Sequence, residues 1–505
     1  MEELTKEQRQ IIEEEIKKEI KKANIFLKPE SINKIIQDII GNIEGKINNK
    51  FKCPKNLEEI LSSIPQKVYV SLGKEEIKQI LKLDFCCFVD NVFYIDFAPK
   101  IEPYEHNQNK TTIEEQRIIQ CSYDDLLYLF KTYPLMFNHC IFDYKIDKKT
   151  PIEQIKKLSF LNCDFKKEIY LNFQECLDIF QMDNCVFEDR VTIKGKFNDN
   201  VYFNSSIFKN YANFHTCEFE KTASFYGVRF EKTPNFSQAI FKGNLNAVNT
   251  NLNFTFDDLQ ERIKQEYKDF NETKEEKPLD KIANDFRDSF RNFKNALIKD
   301  NNLLDASKFH KYELYCKEIE LKNKKYKTLK DKMDKWQLIF YRKLCDHHTD
   351  ILQSLNSLIL VIGIFVISSI AMVVGFNYSL GYKPILEHWY FSLDFYNHHI
   401  NSIIQDNYLF MMAINVMILF IYLGLVGFAL CLKYMREFFI IISYVITLLV
   451  LAVSPKILIP AMGIFTDKRA MLDPLSVLGG IYTIIFGFVA FSFIKTIRKN
   501  SIVPS

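Results

Sequence analysis

Three rhythms of hydrophobic and polar positions divide the 505 residues. The most regular runs from Phe203 to Phe241. Phenylalanine recurs there at Phe203, Phe208, Phe214, Phe219, Phe225, Phe230, Phe236 and Phe241, at spacings of 5, 6, 5, 6, 5, 6 and 5, with none out of register. Two residues before each stands a smaller side chain: Val201, Ser206, Ala212, Cys217, Ala223, Val228, Pro234 and Ala239. An amphipathic helix needs apolar residues three and four apart, and a half-buried strand needs strict alternation, so neither fits. A short strand and a corner repeated every five or six residues would turn the same face inward each time. Such units bury that face only against their neighbours, which predicts a solenoid. The register continues backwards through Phe197, Ile193, Phe187, Met182, Cys176, Leu171 and Phe165 to Phe160, and forwards to Ala247 and Leu252. Ile193 to Phe197 is one residue short. Cys140 and Phe142 start an earlier coil, with Tyr144 to Ile155 expected to loop out.

The second rhythm is a run without charge. Leu355 to Phe376 contains no Asp, Glu, Lys or Arg, and neither do Tyr408 to Leu432 and Leu475 to Ile494 apart from their flanks. About 20 apolar residues suffice for a helix to cross a bilayer, so each is expected to span. Phe438 to Ile459 reads as a further span, with Lys456 snorkelling at its far end, or else as a re-entrant element. Basic flanks (Arg342 and Lys343, Lys433 and Arg436, Lys495 with Arg498 and Lys499) place both termini on the cytoplasmic side; Lys456, Lys468 and Arg469 weigh against this without reversing it. Trp389, Tyr390 and Tyr396 suit an interfacial belt in the outer loop. No charge lies inside the first, second or last span, which disfavours a pump or carrier. Asn356 and Asn415 read as interhelical hydrogen-bonding residues, and Gly479, Thr483 and Gly487 form a small-residue face for helix packing, within the bundle or between copies.

The repeat resembles the pentapeptide-repeat family, in the variant where every second unit gains a residue. That resemblance implies a right-handed, quadrilateral β-helix with four units per coil. It predicts about 4.5 coils between residues 158 and 256, roughly 22 Å of stack at ~4.8 Å per layer. Some members of the family bind DNA gyrase by imitating DNA with a dense acidic surface. Residues 158–256 hold 11 acidic against 10 basic side chains, so such imitation is not expected here.

The third rhythm is helical. Phe286, Phe290, Phe293 and Leu297 mark an amphipathic helix, Asp300 to Asn302 a turn, and Ala306, Phe309, Tyr312 and Ile319 a second helix. Lys322 to Lys335 just before the first span reads either as a solvated face or as a contact for anionic headgroups. At the other end, Glu2 to Lys22 is a charged helix with a thin face of Ile11, Ile12, Ile16 and Ile20. Strand-like runs follow at Lys67 to Leu72 and Phe85 to Phe97. The expected organisation is therefore multidomain: residues 1–150 a small α/β N-terminal cap covering the open solenoid edge, 158–256 the β-helix, 257–352 a helical connector, and 353–499 an α-helical transmembrane bundle.

Composition adds little. Lys and Arg number 66 against 63 Asp and Glu, giving no global field for nucleic acid, and mean hydropathy is near zero. Twelve cysteines without a C-x-x-C pair fit reduced thiols in the cytosol, with no secretory signal at Met1 to Ala23. Cys163, Cys185 and Cys217 take the repeat's small inward position and read as packing. His347–His348 and His398–His399 read as solvent-exposed loop residues rather than metal ligands, and Asp183, Glu188 and Asp189 as a solvated acidic cluster. No Walker loop, H-E-x-x-H or G-x-S-x-G occurs, so neither catalytic residues nor a cofactor or metal are expected. The function expected is a non-enzymatic interaction scaffold in the bacterial inner membrane. Its partners would be the lipid bilayer and a cytoplasmic protein or a second copy, with no nucleic acid. The alternative is an oligomeric pore or sensor gated by the solenoid.

Overall fold

A computed structural model describes residues 5–23, 29–48, 57–97, 118–119, 121–147, 151–252, 254–272, 277–382, 389–431, 433–453 and 472–500. The chain forms two compact units, residues 1–306 and 307–505.

In the first unit, α1 (Lys6–Lys22) starts at a capping box in which Thr5 and Gln8 satisfy each other's backbone N–H groups. Its buried Ile12 and Ile16 meet Ile35, Ile39 and Ile43 of α2 (Pro29–Asn48) and Ile60 and Ile64 of α3 (Leu57–Leu81). The strand-like run Lys67 to Leu72 lies inside α3. Ile60, Ile64, Val68 and Leu72 are buried at four-residue intervals, and this helical face overrides the local alternation. The run Phe85 to Phe97 is a hairpin of β1 (Cys87–Val89) and β2 (Val92–Asp96). It turns at Asp90 and Asn91, both left-handed.

The solenoid makes about five turns over residues 135–252. One side stacks Leu135–Asn138, Leu158–Leu161, Phe180–Asp183, Val201–Tyr202, Ala223–Ser224 and Leu245–Asn246 in parallel. The next stacks Ile141–Phe142, Asp164–Phe165, Val186–Phe187, Ile207–Phe208, Arg229–Phe230 and Asn251–Leu252. The remaining two sides share a sheet. Ile169–Cys176 and Val191–Phe197 run through both, and the next turn divides into Ala212–Asn213 and Glu218–Phe219.

The earlier coil expected from Cys140 and Phe142 is present, with Ile141–Phe142 paired to Asp164–Phe165, so the solenoid extends one coil before residue 158. One expectation changes. Tyr144 to Ile155 does not loop out as a whole, because Ile146–Asp147 and Ile152–Ile155 pair with Ile169–Cys176 and complete the first coil. The missing residue between Ile193 and Phe197 is absorbed opposite Phe173, where the register shifts between Lys194 and Lys196. Gly195 there has φ +150°, and a Cβ would lie 2.5 Å from the Phe173 carbonyl oxygen.

Both ends of the stack are closed. β2 pairs in parallel with Leu135–Asn138 and so occupies the place of a preceding coil. α4 (Tyr123–Thr132) sets Phe130 against Phe137 and Phe160. After the last coil come α5 (Phe256–Glu272) and α6 (Leu279–Lys299), and Phe293 of α6 lies 4.8 Å from Phe236 and 5.7 Å from Phe225, ring centre to ring centre. An uncovered edge would expose unpaired backbone and apolar rings.

The boundary between the units falls inside α7 (Leu303–Asn323). The second unit continues with α8 (Leu329–Cys345), a 3₁₀ turn (Asp346–His348), α9 (Ile351–Ser379), α10 (Trp389–Asp406), α11 (Tyr408–Cys431), α12 (Lys433–Val453) and α13 (Pro474–Asn500). Three helical stretches are long and apolar enough to cross a membrane: Ile351–Ser379, Tyr408–Leu430 and Pro474–Lys499. The expected span 438–459 is not among them. Lys433, Arg436 and Glu437 occupy the first turns of α12, and residues 454–459 lie outside the described ones. Phe365 of α9 stacks on Tyr482 of α13 at 4.0 Å, and Gly363 lets α12 approach so closely that a Cβ would sit 2.2 Å from Ser443 Oγ. Tyr396, expected in an interfacial belt, is buried in α10 with its hydroxyl 3.0 Å from Asp473 Oδ1.

Candidate functional site

Phenylalanine rings fill the solenoid as parallel ladders. Phe142, Phe165, Phe187, Phe208 and Phe230 stack at 4.6–5.1 Å along one side. Phe203 on Phe225, Phe214 on Phe236 and Phe219 on Phe241 repeat the arrangement on the others. Of the expected core residues, Phe203, Phe208, Phe214, Phe219, Phe225, Phe230, Phe236, Ala212, Cys217, Ala223 and Ala239 are buried. Phe241, in the last coil, is half-buried.

The small inward position does more than leave room. Cys163 Sγ donates to the Phe137 carbonyl (3.5 Å), Cys185 Sγ to that of Phe160 (3.5 Å) and Ser206 Oγ to that of Met182 (2.6 Å). Each satisfies a carbonyl of the coil before it. Cys140 reaches Ile95 of β2 in the same way, at 3.8 Å. Burial pushes the Cys217 thiol up to about 12, which suits packing rather than nucleophilic chemistry. One corner is marked by a left-handed residue in each coil: His139, Asn162, Asn184, Ser205, Gly227 and Asn249. The phenylalanine register does not reveal this column, although its Asn and Gly content is the available signal.

Outside, the stack presents rows of alternating charge. Glu188 lies 2.9 Å from Lys209 and 3.7 Å from Lys166, and Glu220 lies 2.7 Å from Lys242 and 3.3 Å from Lys196. The acidic cluster is therefore tied into the stack: Asp183 accepts from the Asn204 N–H and Asp189 from the Asn210 side chain. Each coil supplies the counter-charge of the next, so no side acquires a dense field of one sign.

α5 seals part of one side through a buried carboxylate. Glu266 accepts from Tyr211 Oη (2.8 Å), Asn235 Nδ2 (3.0 Å) and Arg262, whose guanidinium lies 3.2 Å from the centre of the Tyr211 ring. Beside it a cleft of about 300 Å³ contains Lys145, paired with Asp147 and Glu168, so its charges are internally balanced. Glu266→Gln keeps the shape and removes the charge facing Arg262. It is expected to weaken protection of α5 in hydrogen exchange by about 1–2 kcal/mol, leaving the Phe ladders unchanged.

In the second unit the chain turns from α8 into α9 through three consecutive left-handed residues, Asp346 (φ 46°), His347 (56°) and His348 (66°). Non-glycine residues hold such angles only where surrounding contacts impose them. Asp346 accepts from Tyr315 Oη and faces Lys311 at 3.3 Å. Arg342 donates twice to buried Glu318, both at 2.8 Å. His348 Nδ1 lies 3.0 Å from Thr496 Oγ1. The expectation that both histidines are solvent-exposed is therefore wrong: His347 is buried and His348 half-buried, through residues distant in sequence. In α10, His398 is exposed and His399 half-buried. Among the described residues no group of three or more His, Cys, Asp or Glu could hold a metal ion.

Burial, with Arg342 nearby, pushes His347 down to about 3, and burial beside Lys495 and Lys499 pushes His348 down to about 4. The unfolded chain takes up these protons near pH 6.5 and the folded one only well below that. Stability is thus full above about pH 6.5 and lost as pH falls. Between pH 7.5 and 5 the His347 contribution should fall by about 2 kcal/mol, read by hydrogen exchange across residues 340–357. His347→Phe should remove that share and leave the part due to His348.

The expected helix-packing residues separate. Gly479 is buried and Thr483 half-buried, its hydroxyl donating to the Gly479 carbonyl at 2.8 Å, whereas Gly487 is exposed with nothing within 4 Å of a Cβ. Asn415 Nδ2 donates to the Leu472 carbonyl (2.9 Å), and Asn356 accepts from Tyr444 Oη (2.9 Å), joining α9 to α12.

Residues 203–246 match the family model for pentapeptide repeats, in nine copies. No curated protein and no solved structure matches the chain. The chain thus carries pentapeptide repeats, built into a β-solenoid over residues 135–252, together with three helices long and apolar enough to cross a membrane.

Proposed function

We propose that this protein is a membrane-anchored, non-enzymatic scaffold whose solenoid offers a repeated surface to a protein partner. The observation that carries it is the row of outward side chains repeated coil after coil on a closed, capped stack, in a chain with three helices long and apolar enough to cross a membrane. Residues on adjacent coils lie ~4.8 Å apart, so one extended partner segment can read several of them.

The bacterial inner membrane with both termini in the cytoplasm is the setting we infer. Support comes from the second unit. His348 near the start of α9 meets Thr496 near the end of α13, while Tyr396, bonded to Asp473 before α13, packs on Phe376 near the end of α9. Hence α9 and α13 run antiparallel, with basic Arg342, Lys343, Lys495 and Lys499 gathered at one side. α12 starts beside α9's first turns, Arg436 lying 3.3 Å from Ser357 Oγ, and runs along it. Counting α12 as a fourth pass gives the even number that this reading needs.

The test is photo-crosslinking in cells from positions 166, 188, 209 and 231 of one row, against positions on another side. The proposal expects one protein species captured from several adjacent coils of a single row. Capture from no row contradicts it.

A further inference from the structure

We propose that α8 is an interfacial membrane helix that binds anionic lipid headgroups in the plane of the bilayer; this rests on the reading of α9, α11 and α13 as spans. The helix begins at a capping box of Thr328 and Asp331, and Asp331 also holds Lys324 at 2.9 Å. From there Leu329, Met333, Trp336 and Phe340 recur at spacings of 4, 3 and 4, the interval that aligns side chains on one helical face. In a soluble protein such a stripe would face a core. Here Leu329 is 77 %, Met333 65 % and Trp336 72 % exposed. Only the last turn, at Leu344 and Cys345, is buried in the helical bundle.

What covers the stripe follows from where it leads and what flanks it. Phe340 lies 5.7 Å from Phe488, a residue of α13 about two turns inside the basic end at Lys495. Phe488 is itself half exposed, among Ile484, Phe491 and Ile494, which face outward from the span. The stripe therefore continues the lipid-facing surface of α13 outward past its basic end. Lys330 and Lys332 flank it, while Asp331, Asp334 and Lys335 project from the far side of the helix. Tyr326 and the lysines at 325 and 327 precede it. An apolar stripe with Trp, edged by Lys and backed by charged groups, matches the acyl–headgroup boundary, where apolar side chains sink ~5–10 Å and lysine tails reach back to phosphate.

The full chain with Trp389→Phe, or equally Trp389→Tyr, leaves Trp336 as the only tryptophan. It is reconstituted into phosphatidylcholine vesicles with and without a minority of phosphatidylglycerol. A spin label high on the acyl chain should quench Trp336 about threefold more than one at the chain terminus, and aqueous acrylamide should quench it little. Phosphatidylglycerol should strengthen the lipid quenching, and Lys330→Gln with Lys332→Gln should abolish that strengthening. Full quenching by acrylamide would overturn the proposal. So would protection from acrylamide without quenching by either lipid label, since protein, such as a second copy, would then cover the stripe. An unaltered phosphatidylglycerol effect in the lysine variant would overturn the headgroup contact. If the chain is released from membranes by alkaline washing, the spans themselves fail; if it is retained while Trp336 stays in water, only this proposal fails.

Discussion

Phe225→Ala should remove about 3–5 kcal/mol from the solenoid, the largest loss expected from a single side chain here. Phe225 is fully buried, with its ring 5.2 Å from Phe203, 5.7 Å from Phe214, 5.1 Å from Phe236 and 5.7 Å from Phe293. Those neighbours belong to two different sides of the solenoid and to the closing helix α6. Short strands paired above and below cannot collapse into the space without breaking the stacking of the coils, so the cavity persists. Hydrogen exchange on the full protein should show protection falling across residues 201–252 and α6, with α1–α3 little affected. A uniform loss over the whole chain, or none, would mean that the ladder is not the cooperative unit. Repeats stabilised by their neighbours predict a local and propagating loss.

Gly195→Ala should cost about 2–5 kcal/mol, combining backbone strain with overpacking. The methyl group would lie 2.4–2.5 Å from the Phe173 ring and 2.5 Å from its carbonyl oxygen, at a φ of +150° that side chains rarely adopt. The ring could rotate away; the carbonyl is held in the stack. The effect should centre on the coils containing residues 169–176 and 191–197, where exchange should accelerate. Gly487→Ala in α13, where a Cβ meets nothing, serves as the contrasting substitution. Equal behaviour of the two would refute the bulge as the reason for the glycine.

Why some of this is legible in the sequence, and some not, follows from the range of the interactions. The phenylalanine register could be read because every Phe from 203 to 236 serves the same inward role. Even the short step from Ile193 to Phe197 was visible as a fault. Its remedy was not, since the bulge depends on Phe173 one coil earlier. Lys67 to Leu72 looked like a strand because Val68 and Val70 alternate with polar neighbours, and only α1 and α2 reveal which face is buried. The closing of the far end by Phe293 is a contact across more than fifty residues from Phe241 or Phe236, and an amphipathic pattern does not say what it packs on. His347 and His348 sit amid charged residues in sequence, yet Tyr315 and Thr496 enclose them. On α13, Gly479, Thr483 and Gly487 share a pattern but not an environment, because spacing identifies a face and not its partner.

We propose that one chain couples a pentapeptide-repeat solenoid to a bundle of membrane-crossing helices. Alkaline carbonate extraction of membranes containing the full-length protein tests it most directly, because high pH strips proteins held by surface charge and leaves those whose helices cross the bilayer. The exposed apolar faces of α11 and α13, with Phe410, Phe420, Phe428, Ile484 and Phe491 turned outward, predict that the protein stays in the membrane pellet. Its release into the supernatant would contradict the account.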